Sequence, residues 1–286
     1  MIIVRLKGGL GNQMFQYAAA RHLSEKHKVP LKLDLSFFQI EPKNNQHTPR
    51  SFELDQLSIT AEIATEKEIQ FLRKQRWKNW FQPVWIKEKG SDSYKKIARA
   101  GKNCYLNGYW QSEKYFEDIA EIIHNEFVFK QPLSGNSLMD IQRQIENSNS
   151  ISLHFRRGDY VDNPKTNKYH GLCSMDYYRS AQNRIAQNVS NPCFFVFSDD
   201  ISWVKDHFSS DFPTVFIGKN DNLLHSDFRL MSLCRHNIIA NSSYSWWAAW
   251  LNKNENKIVV APKRWLANER KQRLITDRVP KQWIEI

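Results

Sequence analysis

The chain lacks several features that would fix its class directly. Its four cysteines, Cys104, Cys173, Cys193 and Cys234, are scattered and form no C-x-x-C pair, which argues against zinc ribbons and dithiol centres and makes reduced thiols the expectation. No apolar run approaches the roughly 18 residues needed to read a membrane-spanning helix. There is no Pro/Gly or Ser tract and no repeat at solenoid periods, so disorder and repeat architectures are not expected. The opening MIIVRLKGGLGNQ has neither the basic start, the apolar stretch nor the small-residue cleavage site of a leader. Residues 2–6 are expected to be a core strand, and the protein to be soluble and cytoplasmic. No two aspartates are separated by a single residue, so the D-x-D arrangement that holds a divalent ion against a pyrophosphate is missing.

What is present is an ordinary globular composition on a chain of 286 residues, long enough for two lobes with a core each. The formal net charge is +11, and it is concentrated: residues 67–102 hold eleven Lys or Arg and three acids, +8 of that total. A cationic excess attracts nucleic acid, anionic lipid or phosphorylated small molecules. None of the common nucleic-acid recognition motifs appears, so nucleic acid is not the expected partner, although a basic nucleic-acid-binding protein stands as a rival reading. Trp77, Trp80, Phe81 and Trp85 interleave with the cations, a mixture suited to peripheral contact with an anionic membrane face, although a helical lobe with solvated lysines and buried tryptophans is the favoured reading.

The first half, to about residue 150, opens as strand, glycine turn, helix and strand over residues 2–6, 8–11, 12–26 and 30–35. Helical apolar spacings follow from 62 to 100, with breaks at Pro83 and Gly90, and no further strand is expected there. From residue 151 short apolar strands at 151–155, 193–197, 214–217, 237–240 and 258–261 alternate with amphipathic stretches. That alternation predicts βαβ units and a parallel sheet covered on both faces. In such sheets ligands bind beyond the carboxyl ends of the strands.

The polar clusters that could do chemistry follow these strands. His154-Phe155-Arg156-Arg157-Gly158-Asp159-Tyr160 ends the first. Arginine's planar, permanently charged fork suits a pair of pyrophosphate oxygens, and Gly158 permits a turn that aims one arginine into the crevice. An arginine pair neutralised by Asp159 and a surface carboxylate fits the same residues. Phe197-Ser198-Asp199-Asp200 ends the second strand, where either acid can cap the next helix and Asp199 is a candidate ligand contact. Asn241-Ser242-Ser243 opens a helix rich in tryptophan. Helix N-termini present amide donors and partial positive charge, a seat for phosphate, with Ser242 and Ser243 as contacts and the tryptophans expected to pack against the sheet. In the first half, Gly8-Gly9-Leu10-Gly11-Asn12-Gln13 has Met14 at the third glycine position of G-x-G-x-x-G, so a nicotinamide fingerprint is not met. Gly9, Gly11, Asn12 and Gln13 remain candidates for close approach to phosphate or sugar.

Taken together, GGLGNQMFQYA at 8–18, HFRRGDYV at 154–161, FVFSDD at 195–200 and NSSYSWWAAWL at 241–251 resemble the ordered motifs of bacterial α-1,2-fucosyltransferases, glycosyltransferase family 11. The resemblance implies an α/β, GT-B-like fold of two Rossmann-like lobes with parallel sheets, residues 1–150 on the acceptor side and 151–286 binding GDP-fucose. It also implies an inverting transfer of L-fucose from GDP-β-L-fucose to the 2-hydroxyl of a galactose-ended oligosaccharide or lipid-linked glycan, with no metal or other cofactor, in surface-glycan biosynthesis. Carried over by motif position, Arg156 meets the β-phosphate, with Arg157 beside it, His154 lies near the guanine, and Asn241, Ser242 and Ser243 lie at the phosphates. Asp227 matches by spacing the guanine-binding acid of α-1,6 relatives, and Asp159 is the acid nearest the motif that could serve as base. The H-x-R-R element is shared with fucosyltransferases of other linkage, so an α-1,6 enzyme is the nearest alternative.

Overall fold

The computed structural model describes residues 1–39, 50–75, 84–88, 92–218, 225–273, 275 and 277–286, the side chains of residues 92 and 159 excepted. Two compact units divide the chain, Met1–Gln131 and Pro132–Ile286. Residues 132–150, read from sequence with the first half, belong to the second unit, because the helix Asn136–Glu146 packs on the helix Ser226–Leu233 and on the strand that follows it.

The first unit is built on a parallel sheet of β1 (Ile2–Arg5), β2 (Leu31–Asp34), β3 (Glu62–Ile63), β4 (Trp85–Lys87) and β5 (Cys104–Asn107), in the order β3-β2-β1-β5-β4. β1 is central and its first three residues are buried, as an apolar run covered on both faces should be. The helix Leu10–His27 follows β1 after a turn in which Gly8 takes φ +80°. A Cβ on Gly8 would lie 2.6 Å from Asn12 Nδ2, so the turn requires glycine twice over.

The expectation of helices and no strand from 62 to 100 is corrected by β3 and β4, and β5 follows them, unforeseen as well. β3 and β4 have only two and three residues and β5 only four; segments this short carry no alternation long enough to read. Trp85, left from sequence between an anionic-membrane face and a buried packing position, stacks on Tyr105 with ring centroids 3.9 Å apart. Trp77, Trp80 and Phe81 lie outside the described residues.

The second unit carries β6 (Asn149–Phe155), β7 (Pro192–Ser198), β8 (Thr214–Ile217), β9 (His236–Ile238), β10 (Val259–Ala261) and β11 (Ile284–Glu285), all parallel, in the order β11-β10-β9-β6-β7-β8. The interior strands β6 and β7, the longest of the sheet, are buried almost throughout. One core layer joins Ile151, Leu153 and Phe155 to Tyr177, Tyr178 and Ala181 of the helix Met175–Ala186. The helix Ser243–Leu251 buries Trp246 and Trp247 completely, with Trp250 and Trp283 against them. These indoles are packing groups, as their pattern predicts. No helix among the described residues is long and apolar enough to cross a membrane.

Candidate active site

The second unit's site follows from strand register. β6 and β7 pair in parallel with Phe155 opposite Ser198, so the next residues of each chain segment face each other as two rungs of opposite charge. On the first rung Arg156 Nη1 lies 2.7 Å from Asp199 Oδ2. On the second, Arg157 Nε donates to Asp200 Oδ2 at 3.2 Å.

The two arginines then diverge. The Arg157 guanidinium sits 3.3 Å from the Trp203 ring centroid, and Trp203 is stacked on its far neighbour His207 at 4.1 Å. Asp200 also caps the helix Ile201–His207, accepting from Trp203 N at 3.3 Å. Arg157 is thereby fastened to that helix. Arg156 lies 5.5 Å from the Tyr160 ring centroid, and its partner Asp199 also accepts from Arg157 N at 2.8 Å. Asp199, a candidate ligand contact from sequence, is bound here by these two groups.

β9 leads into the third cluster. Asn241 is buried, and its amide nitrogen donates to the carbonyls of His170, Gly171 and Trp265 at 3.1 to 3.3 Å. It ties two neighbouring loops to the end of the strand. Ser242 caps the helix Ser243–Leu251, its Oγ accepting from Tyr244 N at 3.3 Å. That helix has no acid in its first turn, and Ser243 stands at its first position, partly exposed. The cap is a neutral hydroxyl, and a helix N-terminus carries partial positive charge.

His154 belongs to β6 and is 5 % exposed. Burial drives its pKa down to about 4, against the pull of Asp199, so the ring is neutral at pH 7. Its Nδ1 is enclosed and has no hydrogen-bond partner within the protein. Buried ring nitrogens are ordinarily satisfied, so an orphan beside two strand ends points to a group supplied from outside. The ring neighbours Tyr244, centroids 6.3 Å apart, and Tyr244 in turn contacts Phe228 and offers its hydroxyl to His225 Nδ1 at 3.4 Å. Asp227 lies in the first turn of the helix Ser226–Leu233, on the element that Tyr244 touches. His154, Arg156, Asp199, Ser242 and Ser243 therefore collect at adjacent strand ends, with Asp227 joined to them through Tyr244. The Asp159 side chain lies outside the described residues.

The glycine loop of the first unit is organised differently. Gln13 is fully buried, donating to Gly8 O and Ser51 O at 2.8 Å each and accepting from Glu53 N at 2.9 Å. Gln16 holds both main-chain groups of Lys7. Asn12 Oδ1 accepts from Gln111 Nε2 at 2.6 Å. A Cβ on Gly9 would be 3.4 Å from Arg50 Nη1, and Gly11 is buried in the helix's first turn. Glu53, its pKa raised by burial, accepts from the amide of Leu10, with Arg50 acting on it electrostatically in the opposite direction. The amide end of this helix thus already has an anion from the protein. Arg50, Glu53 and Tyr244 were not foreseen as site residues; Tyr244 lies within the third motif, whereas only proximity in space to the glycine loop singles out Arg50 and Glu53.

The whole chain, residues 1–286, matches glycosyl transferase family 11. The chain belongs to that family. The Escherichia coli O-antigen biosynthesis glycosyltransferase WbnK is 37% identical, the match covering 98% of this chain and 99% of that protein. An α-1,2-colitosyltransferase of the same organism is 36% identical over 100% and 99%. The galactoside 2-α-L-fucosyltransferase SEC1 of Bos taurus is 25% identical, covering 87% of this chain and 63% of its own length. The fold of the NodZ α-1,6-fucosyltransferase co-crystallised with GDP superposes with a TM-score of 0.48 at 13% identity, covering 86% of this chain and 91% of that one. This family 11 chain is a glycosyltransferase, and the strand-end cluster of its second unit is the natural place to look for its donor.

Proposed function

We propose that the chain transfers L-fucose from GDP-β-L-fucose to the 2-hydroxyl of a galactose-ended acceptor, giving an α-1,2 linkage with inversion. The observation that carries this reading is the joint presence, at neighbouring strand ends, of Arg156, an N-terminal helix turn without acids, and the unpartnered, neutral His154. A diphosphate needs cationic and amide donors at once, and a nucleoside adds polar groups that a buried ring nitrogen can satisfy. The relatives named for O-antigen biosynthesis and for α-1,2 transfer support the same choice.

In the proposed step the acceptor oxygen attacks the anomeric carbon from the face opposite the diphosphate. The new C–O bond forms as the sugar–phosphate bond breaks through an oxocarbenium-like state, the hydroxyl proton passes to a base for which Asp159 is the candidate, and GDP departs. Arg156 and the amides after Ser242 stabilise the charge that grows on the leaving diphosphate, a task they perform without a metal ion. Asp227 is proposed to accept from the N1 and N2 donors of guanine. The second unit would bind the donor and the first the acceptor, in a GT-B arrangement, for an oligosaccharide or a lipid-linked glycan.

The full-length similarity to a colitosyltransferase supports a second donor, GDP-colitose, whose sugar differs from fucose in lacking the 3-hydroxyl. The test is incubation with each donor and a β-galactoside disaccharide in EDTA, with the product linkage read by NMR. An α-1,2 product from GDP-fucose is expected. Exclusive use of the colitosyl donor would replace the fucosyl reading, and a product of other linkage would refute the acceptor position.

A further inference from the structure

The sequence offers Asp199 as a ligand contact, but its surroundings give it another task. Its carboxylate has two partners set by strand register, Arg156 Nη1 at 2.7 Å on one oxygen and Arg157 N at 2.8 Å on the other. The main-chain amide is fixed by the end of β6, so the carboxylate has one orientation, and the guanidinium it holds inherits that orientation. Gly158 supplies an independent observation. A Cβ at that position would lie 2.5 Å from Asp199 Oδ2 and 3.0 Å from its Cγ. The carboxylate is packed against a backbone position where even alanine would displace it. Both partners are half-buried, with side-chain exposures of 22 % and 25 %, so the pair is not a solvated surface bridge of negligible consequence.

We propose that Asp199 is a positioning residue, which with the glycine at 158 locks the Arg156 guanidinium in the orientation that the leaving diphosphate requires. This rests on the donor reading given above. The proposal has a signature that a ligand contact or a merely structural acid lacks. A carboxylate next to an anion site opposes ground-state binding of the anion, while the orientation it imposes helps when charge develops in the transition state. Removing its charge should therefore lower turnover without weakening nucleotide binding.

The experiment compares the parent with Asp199→Asn and Gly158→Ala, by calorimetry with GDP and by initial-rate kinetics with the sugar nucleotide that the parent uses. Asp199→Asn is expected to bind GDP as tightly as the parent or a few-fold tighter, while kcat falls by about 10- to 100-fold. Gly158→Ala keeps the charge but shifts the carboxylate, and should lower kcat in the same range without the gain in GDP affinity. Far-UV circular dichroism and thermal melts establish that each variant is folded. If Asp199→Asn misfolds, Gly158→Ala decides alone. A kcat within two-fold of the parent in a folded variant would overturn the proposal, as would GDP affinity and kcat falling by the same factor, the mark of a direct ligand contact. A parent that transfers no sugar and has no affinity for GDP would refute the donor reading and this proposal together, an outcome visible before any variant is made.

Discussion

Arg156 and Arg157 are adjacent and chemically identical, yet the fold gives them opposite assignments. One strand register pairs each with its own aspartate, and what differs is the second partner: an indole holds Arg157 to a helix, while Arg156 stands over Tyr160. Arg156→Ala is expected to lose roughly 10²- to 10³-fold in kcat while staying folded, the usual consequence of removing a charge stabiliser. Arg157→Ala should cost about 1–2 kcal/mol of stability through its lost stacking and ion pair, with a smaller effect on turnover. Parallel chemical denaturation and kinetics on the two variants check the division. His154 gives a second expectation at this scale. Its folded pKa is about 4 against an ordinary 6.5, so between those values the unfolded chain takes up a proton that the native state refuses. The contribution is intact above about pH 6.5 and declines as pH falls toward 4, by about 3 kcal/mol in all. His236 and His22 are also held below their ordinary value by burial, so the readout is the difference between the parent and His154→Gln: the pH dependence of the variant's stability should be shallower across that window. The residue types of the cluster were legible in the sequence. Which arginine is fastened to the following helix was not, because that depends on a partner forty-three positions away in the chain at Asp200.

Helices and strands carried most of what could be read in advance. The helix after β9 announces itself by Ser242 as cap and by tryptophans that disappear into the core, and the strands β6, β7 and β8 announce themselves as apolar runs ended by polar clusters. Ser242→Ala should destabilise the second unit by about 1 kcal/mol by releasing the Tyr244 amide, measured as a shift in the urea midpoint. The same substitution leaves the other amides of that turn in place, so the loss in GDP affinity should be modest. The short strands β4 and β5 were illegible because their segments are flanked by charge and glycine; pairing, of β5 with β1 and of β4 with β5, rather than any pattern of their own, makes them strands. The glycine loop was legible as a tight turn but not in its purpose. Buried glutamines and the Glu53 carboxylate complete its hydrogen bonds from within the protein, so an anion bound there would have to compete with a group already in place.

For the molecule as a whole, the sequence announced two α/β halves and a family, and the chain has both. The division falls earlier than composition indicates, since a helix packed on a distant partner, Asn136–Glu146 on Ser226–Leu233, decides to which unit it belongs. Net charge divides unevenly too, with +8 of +11 on residues 67–102, whereas the donor site proposed here draws on a few fixed cations and amides in the other unit. Electrostatic attraction over the surface and local stabilisation at the site are therefore separate properties, and salt should weaken the first far more than the second. The most direct test of the account is a crystal structure of the protein with GDP. The diphosphate should lie against the amides that follow Ser242 and within hydrogen-bond reach of Arg156, with the orphaned nitrogen of His154 satisfied by the nucleotide or by a water it brings. A diphosphate seated on the Gly8–Gly9 turn of the first unit, with Arg156 untouched, would contradict it.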